Sequence, residues 1–201
     1  PIVWTPEGVR MLDQRRLPGE VFYHLFTDYR EVAASIKDMV IRGAPAIGVA
    51  AAMGVALGVE RSSAKSLDEL EKELAIICDT LAKTRPTAVD LFWALERMKQ
   101  RFAAAAADSG GALDRVRAAM VAEAKLVHLE KHAIDQAIGR FGAELMPQEG
   151  RVMTQCNAGA LATAGIGTAL GVIRVAVEQG RKLTVLVPET RPYLQGARLT
   201  A

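Results

Sequence analysis

The hydrophobic pattern of the chain changes period near residue 28. Over the first 25 residues, apolar side chains alternate with polar ones around two turn sequences, residues 5–8 and 17–19. This pattern is typical of short strands in a hairpin or small sheet. From Asp28, itself a good N-cap, apolar residues recur every three or four positions, which is typical of an amphipathic helix. We therefore predict a small N-terminal sheet followed by a helix.

Four more helices are predicted between residues 43 and 146. Residues 43–59 carry no charge and are rich in alanine and glycine, which favours a buried helix over a membrane span. The next two segments have amphipathic spacing and end near residue 85 and in the loop 108–111. The last helix is long, and its apolar stripe consists of Val127, Ile134, Ile138, Phe141 and Leu145. Together these segments predict an all-helical bundle over residues 28–146.

The turn sequence at residues 147–150 marks a domain boundary, because the hydrophobic period changes after it. Segments 151–156 and 183–187 resemble strands and enclose a helical segment, 161–179, which predicts a βαβ unit with a parallel sheet. The predicted class is α/β and multi-domain, with one domain over residues 1–147 and the beginning of another over residues 151–201. Since two parallel strands do not form a stable doubly wound sheet, we expect the 201 residues to be a truncated fragment.

Composition and charge narrow the function classes. The chain has 50% hydrophobic and 24% charged residues and a net charge of +2, which is typical of a soluble globular protein and too weakly basic for a nucleic-acid surface. Residues 151–201 carry six basic and two acidic residues, a bias that suits a small anionic ligand. Cys78 and Cys156 form no C-x-x-C motif and no leader segment opens the chain, so we expect a cytoplasmic protein.

Cys156 is the main candidate for chemistry. We predict it at the end of a parallel strand, where α/β sheets bind ligands. A helix N-terminus behind it would stabilise its thiolate and attract a phosphate. A lone cysteine is more often a small buried core residue, and this alternative stays open. The small residues 157–159 that follow favour the functional interpretation, because they leave room for a ligand.

Two arginines precede predicted helices in positions that suit anion binding. Arg42 precedes Gly43, Ala44 and a proline, so that backbone N–H groups and a guanidinium would converge on one anion. The alternative is a solvated arginine beside an ordinary helix start. Arg85 stands in an extended position before a proline and a Thr-capped helix. On its own, Arg85 would more often be a plain loop residue.

Two further patterns are assigned to structure rather than to ligand binding. Gly165, Gly167 and Gly171 come within one residue of the dinucleotide-binding fingerprint. We place them inside the predicted helix rather than in the turn before it, which favours helix–sheet packing. His128 and His132 lie one helical turn apart, but no third ligand accompanies them. A solvated helix face therefore explains the histidine pair better than a metal site does.

Four motifs occur in an order that resembles one enzyme family. They are RGAPAIG at residues 42–48, TRPTA at 84–88, CNAGALA at 156–162 and ETRPYLQGARLT at 189–200. With Trp4 and the LDQR sequence at 12–15, they resemble the methylthioribose-1-phosphate isomerase family, within the superfamily of initiation factor 2B alpha, beta and delta subunits. The resemblance covers essentially the whole chain.

The resemblance implies a helical N-terminal domain on a small β element, and a Rossmann-like C-terminal domain that binds no nucleotide. The implied reaction is the isomerisation of 5-methylthioribose 1-phosphate to 5-methylthioribulose 1-phosphate in methionine salvage, by a homodimer that needs no cofactor or metal and binds a small-molecule sugar phosphate, no nucleic acid and no membrane. The implied site residues are Cys156 as the catalytic thiol, Arg42, Gly43, Ala44 and Arg85 around the phosphate, and Gln195 against the substrate. The family's catalytic aspartate and an Asn-Lys pair would lie beyond residue 201, so the 201 residues alone are expected to be inactive.

Two alternative functions stay open. A non-catalytic regulatory subunit of the initiation factor 2B type needs no catalytic thiol, so Cys156 with residues 157–159 favours the isomerase. An isomerase acting on ribose 1,5-bisphosphate or 5-deoxyribose 1-phosphate is the other alternative. The TRPTA motif followed by LFWA at residues 91–94 favours the methylthioribose branch.

Overall fold

The computed structural model describes residues 1–201. Its N-terminal segment forms a three-stranded antiparallel sheet. Its strands, in the order β1–β2–β3, are Ile2–Thr5, Gly8–Leu12 and Tyr23–Phe26. Val9 and Met11 of the central strand are buried, whereas Arg10 between them is exposed, because successive side chains of a strand point to opposite faces. The predicted N-terminal sheet is confirmed.

Five helices form the bundle that follows the sheet. Asp28 caps the first of them and forms a capping box with Glu31, so the predicted N-cap is confirmed. The helices are α1 Tyr29–Lys37, α2 Ala44–Glu60, α3 Leu67–Ala82, α4 Val89–Asp108 and α5 Leu113–Glu144. None of the helices combines the length and the apolar character that a bilayer span requires.

Helix α2 lies at the centre of the bundle and contacts the other four helices. Every residue from Ala46 to Val59 is buried, and most of these side chains are small. At Gly54 and Gly58 a Cβ would press against Leu81 and Ile77 of α3. The glycines therefore let the neighbouring helices approach closely, which accounts for the uncharged, alanine-rich segment.

The second unit is a βαβ arrangement, as predicted. Strands β4, Glu149–Met153, and β5, Lys182–Leu186, pair in parallel, and α6, Ala169–Glu178, connects them. The α/β class is thus confirmed. The bounds differ from those predicted: β4 begins two residues earlier than residue 151 and ends three before Cys156, and α6 begins at Ala169 rather than at residue 161.

The start of α6 is shifted because residues 163–168 are not helical. A short 3₁₀ turn, Ala160–Ala162, is followed by an irregular segment in which Gly167 has a φ of +98°. Gly159 and Gly167 approach so closely that they form a β-bridge, which leaves no space for a Cβ at Gly167. The placement of Gly165 and Gly167 inside a helix was therefore wrong, although Gly171 does lie within α6.

Helix α5 packs against both units of the protein. Its first half is buried against the bundle, for example at Met120 and Val127. Its second half contacts α6 through Gly139 and Gly142, where a Cβ would strike Val172 or Val175. Beyond the buried Val127, the predicted apolar stripe faces solvent, at Ile134, Ile138, Phe141 and Leu145. The close approach of α6 thus uses the glycine face of α5 rather than its apolar stripe.

Candidate functional site

Cys156 lies three residues beyond β4 and has a left-handed backbone, with a φ of +59°. Two threonines from the segment after β5 hold this conformation. The Cys156 N–H donates to Thr190 Oγ1 over 3.0 Å, and its carbonyl accepts from Thr200 Oγ1 over 2.7 Å. A non-glycine residue with positive φ needs such support, and residues of this kind cluster at functional sites.

Arg42 contacts Cys156 directly. Its Nη2 lies 3.3 Å from Cys156 Sγ, and its Nη1 donates to the Asn157 carbonyl over 3.0 Å. Burial lowers the pKa of the Arg42 guanidinium; the Cys156 sulfur counteracts this shift and the charge of Arg85 adds to it. The structure thus brings Arg42 into contact with Cys156, which is 114 positions away in the sequence, and places Arg85 where its charge acts on Arg42.

Arg85 has an unsatisfied donor. Its Nη1 is buried and has no hydrogen-bond partner. Neither Arg42 nor Arg85 takes part in an ion pair of the structure, whereas Arg97 of α4 pairs with Glu123 over 2.6 Å and with Glu130. Two guanidinium groups that repel each other and lack a carboxylate partner form a site that would hold an anion.

Gly43 and Ala44 bring the start of α2 against the Cys156 loop. Gly43 has a φ of +93°, and a Cβ there would collide with Ala162. Ala44 is the first residue of α2, so the unpaired N–H groups and the positive dipole end of that helix lie next to Arg42. The sequence-predicted residues 42–44 therefore approach Cys156 as one group.

Gln195 and Arg42 line the same small cavity, whose volume is about 40 Å³. Gln195 lies just before a short helical turn, Gly196–Thr200. The complete lining consists of Gln14, Arg15, Met39, Arg42, Tyr193, Gln195, Arg198 and Leu199. Both units of the protein contribute to it, since Gln14 and Arg15 follow β2.

Arg198 connects the last segment of the chain, by hydrogen bonds, to the loop that follows β2. Its Nη2 donates to the carbonyls of Gln14, Arg15 and Leu17 over 2.8, 3.2 and 3.1 Å. The same segment is tied to the Cys156 loop, because Asn157 Nδ2 donates to the Leu199 carbonyl over 3.1 Å. Arg198 thereby supports the loop that holds the thiol.

Asp13 stabilises the loop that receives Arg198. Its buried carboxylate accepts from Arg15 Nε and Nη2 over 2.9 and 2.7 Å, and it lies 3.0 Å from His24 Nε2. These hydrogen bonds, chiefly those from Arg15, hold the pKa of the Asp13 carboxyl well below its usual range.

Several of these supporting residues were not identified from the sequence. Thr190, Arg198 and Thr200 belong to the ETRPYLQGARLT motif, but no role was given to them. The available signal was the presence of short hydroxyl and amide side chains both after the thiol and in that motif, since such side chains hydrogen-bond to nearby backbone.

The two histidines of α5 lie outside this site. His132 is exposed, as expected for a solvated helix face, but His128 is half-buried, and burial lowers its pKa. His128 lies beside the Ala164 backbone, so only His132 fits the prediction of a fully solvated helix face. No group of three His, Cys, Asp or Glu side chains is close enough together to hold a metal.

Comparison with known proteins places this chain in a family. The sequence profile described as the Initiation factor 2 subunit family matches residues 40–201. The chain is 57% identical over 200 residues to a methylthioribose-1-phosphate isomerase from Koribacter versatilis and 56% identical to one from Geobacter metallireducens. All of the chain is covered, but only 56% and 57% of those relatives, so the chain spans a little over half of their length.

Two solved structures have the same fold. The 5-methylthioribose 1-phosphate isomerase from Pyrococcus horikoshii matches 100% of this chain and 55% of its own, with a TM-score of 0.88 and 42% identity. Translation initiation factor eIF-2B subunit delta from A. fulgidus matches 99% of this chain and 57% of its own, with a TM-score of 0.85 and 40% identity. The chain belongs to the Initiation factor 2 subunit family.

Proposed function

We propose that this chain contributes the phosphate-binding and thiol-bearing part of an isomerase that converts 5-methylthioribose 1-phosphate to 5-methylthioribulose 1-phosphate. One observation carries the proposal: Arg42 lies 3.3 Å from the Cys156 sulfur, the charge of the unsatisfied Arg85 acts on Arg42, and neither arginine has a carboxylate partner. A sugar phosphate would supply the missing negative charge and place its carbon chain against the sulfur. The names of the relatives at 52–57% identity support this substrate.

The roles of the residues follow from the chemistry of the substrate. Its C1 carries the phosphate, so the ring must open before hydrogen moves between C1 and C2, and the phosphate must be held throughout. Arg42 and Arg85 would clamp it by charge-assisted hydrogen bonds, together with the N–H groups at Gly43 and Ala44. Cys156 would exchange a proton at the reacting carbons, and Gln195 would contact the sugar.

Turnover in a chimera tests the proposal. Residues 1–201 replace the matching segment of the Koribacter versatilis relative, and NMR follows the appearance of the ketose. We expect Cys156→Ser to lower kcat by about 100-fold or more, because an alcohol is a far weaker acid than a thiol. Cys78→Ser is the matched control, since Cys78 is buried in the bundle core, and it should retain kcat within about twofold.

Two outcomes would contradict the proposal in different ways. Full turnover in Cys156→Ser would remove the thiol from the mechanism. A folded but inactive chimera, beside an active parent enzyme, would argue against this substrate.

A regulatory subunit of the initiation factor type is the second candidate, because the A. fulgidus structure named as such a subunit superimposes with a TM-score of 0.85. It predicts that sugar phosphates bind without being converted. Binding of methylthioribose 1-phosphate with no ketose formed, in the chimera and in its Cys156→Ser variant alike, would favour this function over the isomerase.

We also propose that residues 1–147 form one domain and residues 151–201 the beginning of a second, Rossmann-like domain, in a cytoplasmic homodimer that does not bind nucleic acid. The net charge of +2 supports the absence of a nucleic-acid surface, and the exposed apolar stripe of α5 offers a surface for a second copy. Analytical ultracentrifugation and a fluorescent oligonucleotide titration test these statements. A monomer at micromolar concentration, or oligonucleotide binding in 150 mM salt, would contradict them.

A further inference from the structure

Gln14 is a buried polar residue to which neither the motifs nor the proposed mechanism gives a role. It follows Asp13 after β2, and only 2% of its surface is exposed. Its backbone N–H donates to the Val40 carbonyl over 3.0 Å, two residues before Arg42. The backbone of Gln14 is therefore attached to the segment that carries the phosphate-binding arginine.

The side chain of Gln14 is oriented by one strong contact. Its Nε2 donates to the Leu161 carbonyl over 2.6 Å, in the turn that follows Cys156. The reverse orientation would place two acceptor oxygens against each other, so the amide nitrogen is fixed on the Leu161 side. The amide oxygen is consequently the end that remains for another partner.

That oxygen, Gln14 Oε1, is buried and has no hydrogen-bond donor. An unsatisfied acceptor in the interior is destabilising, and native proteins rarely retain one without a use. A phosphate dianion cannot satisfy it, because a dianion offers only acceptors. A hydroxyl group can.

Gln14 also lines the cavity of about 40 Å³ that contains Arg42 and Gln195. A space of this size holds a hydroxyl group or one water molecule. The position is rigid, since Arg198 donates to the Gln14 carbonyl over 2.8 Å and Asp13 holds the same loop through Arg15.

From these observations we infer that Gln14 is a further substrate-binding residue, whose Oε1 accepts a hydrogen bond from a hydroxyl group of the sugar. The inference rests on the proposed sugar-phosphate function and extends it. Arg42 and Arg85 would recognise the phosphate, which many metabolites carry, whereas Gln14 would recognise the hydroxylated carbon chain.

Calorimetric titration tests the inference in the chimera with the Koribacter versatilis relative, which carries Cys156→Ser so that the sugar phosphate is bound without being converted. This chimera is the unchanged chain to which the variants are compared. The probes are inorganic phosphate, 5-methylthioribose 1-phosphate and the 2-deoxy and 3-deoxy analogues of that sugar phosphate. The variant is Gln14→Met, which keeps the length of the side chain and removes both the Oε1 acceptor and the Nε2 donor to Leu161. The deoxy analogues isolate the acceptor, because they remove only the hydroxyl group that it would bind. Gln136→Met, at an exposed position of α5, is the matched control, and circular dichroism checks that each variant is folded.

We expect one deoxy analogue to bind the unchanged chain about three- to tenfold more weakly than the parent sugar phosphate. Gln14→Met should bind the parent sugar phosphate more weakly by the same factor. It should bind that deoxy analogue as tightly as the unchanged chain does, and inorganic phosphate within about twofold of the unchanged chain. The control should match the unchanged chain with every probe.

Failure of the role given to Gln14 and failure of the proposed function give different results. If neither deoxy analogue binds the unchanged chain more weakly than the parent does, Gln14 contacts no hydroxyl at these carbons, and the inference is overturned without any variant having to fold. If Gln14→Met lost affinity for sugar phosphate and for inorganic phosphate by the same factor, Gln14 would have a structural role only, and the inference would be wrong. If the unchanged chain binds none of the probes, the phosphate site fails, and the proposed function falls together with the role of Gln14.

Discussion

Replacing Arg85 by methionine should stabilise the protein while removing its response to phosphate. Arg85 has a buried Nη1 without a partner, and its positive charge opposes that of Arg42. A buried donor left unsatisfied costs about 1–3 kcal/mol. Because the Arg85 side chain is only half-buried, we take about 1 kcal/mol, which is about 2–4 °C in Tm for a chain of this size.

The opposite effect appears when phosphate is added. A ligand at 100 times its Kd stabilises the folded state by about 2.7 kcal/mol, or about 5–11 °C at the same conversion. The unchanged protein should show this rise, and Arg85→Met should show almost none. Without phosphate the variant therefore melts higher than the original protein, and with phosphate it melts lower.

Differential scanning calorimetry with and without phosphate, at ionic strength matched with sodium chloride, measures both effects. Arg140→Met on the exposed surface of α5 serves as the control and should leave both Tm values within about 1 °C. The reasoning would be refuted if Arg85→Met lowered the Tm in the absence of phosphate, or if its phosphate-induced rise equalled that of the unchanged protein.

Three further predictions concern the supports of the site. Gly43→Ala should lower the free energy of unfolding by about 2 kcal/mol or more in urea titrations, because the φ of +93° and contact with Ala162 exclude a Cβ. Asp13→Asn should reduce the loss of stability at acid pH. Because the pKa of the Asp13 carboxyl is lowered in the folded protein, its ionised form stabilises the fold above pH 4, and about 1–2 kcal/mol of the free energy of unfolding is lost as the pH falls towards 2. Iodoacetamide at pH 8 should alkylate Cys156 at least about tenfold faster than Cys78, since burial raises the pKa of the Cys78 thiol to about 11.

Each of these predictions has a contrary outcome. Gly110→Ala is the control for Gly43, because Gly110 also has a positive φ but nothing within 4 Å of its Cβ position; an equal loss at both sites would mean that Ala162 plays no part. If the free energy of unfolding fell equally with pH below pH 4 in Asp13→Asn and in the unchanged protein, the role of the Asp13 ion pair would be contradicted. Preferential alkylation of Cys78, read by peptide mass spectrometry, would contradict its burial.

Local sequence signals identified most of the helices and strands. The Asp28 capping box and the uncharged α2 segment each carry their structural reason within a few consecutive residues. One segment depended on distant contacts instead. Residues 163–168 were assigned to a helix on their apolar composition, yet Gly167 packs against Gly159 and Asp135 accepts the Gly165 N–H over 2.9 Å, contacts that no local period reveals.

The sequence pointed to the chemically distinctive residues of the candidate site but not to the residues that hold them in place. Arg42, Arg85 and Cys156 occur in recognisable motifs, so the sequence pointed to each of them. The roles of Thr200 and Arg198 arise from pairing with residues 44 and more positions away. Such roles appear only when the chain is folded, because a threonine or an arginine has many possible partners and the sequence does not specify which one it meets.

The length of α5 sets the relation between the two halves of the site. Its 32 residues span about 48 Å at 1.5 Å per residue; the first half is embedded in the bundle that carries Arg42 and Arg85, and the second supports the unit that carries Cys156. Swinging one unit away from the other would require this continuous helix to bend. The distance between Arg42 and the Cys156 thiol is therefore set when α5 folds, and under the proposed function a sugar phosphate would have to match that distance.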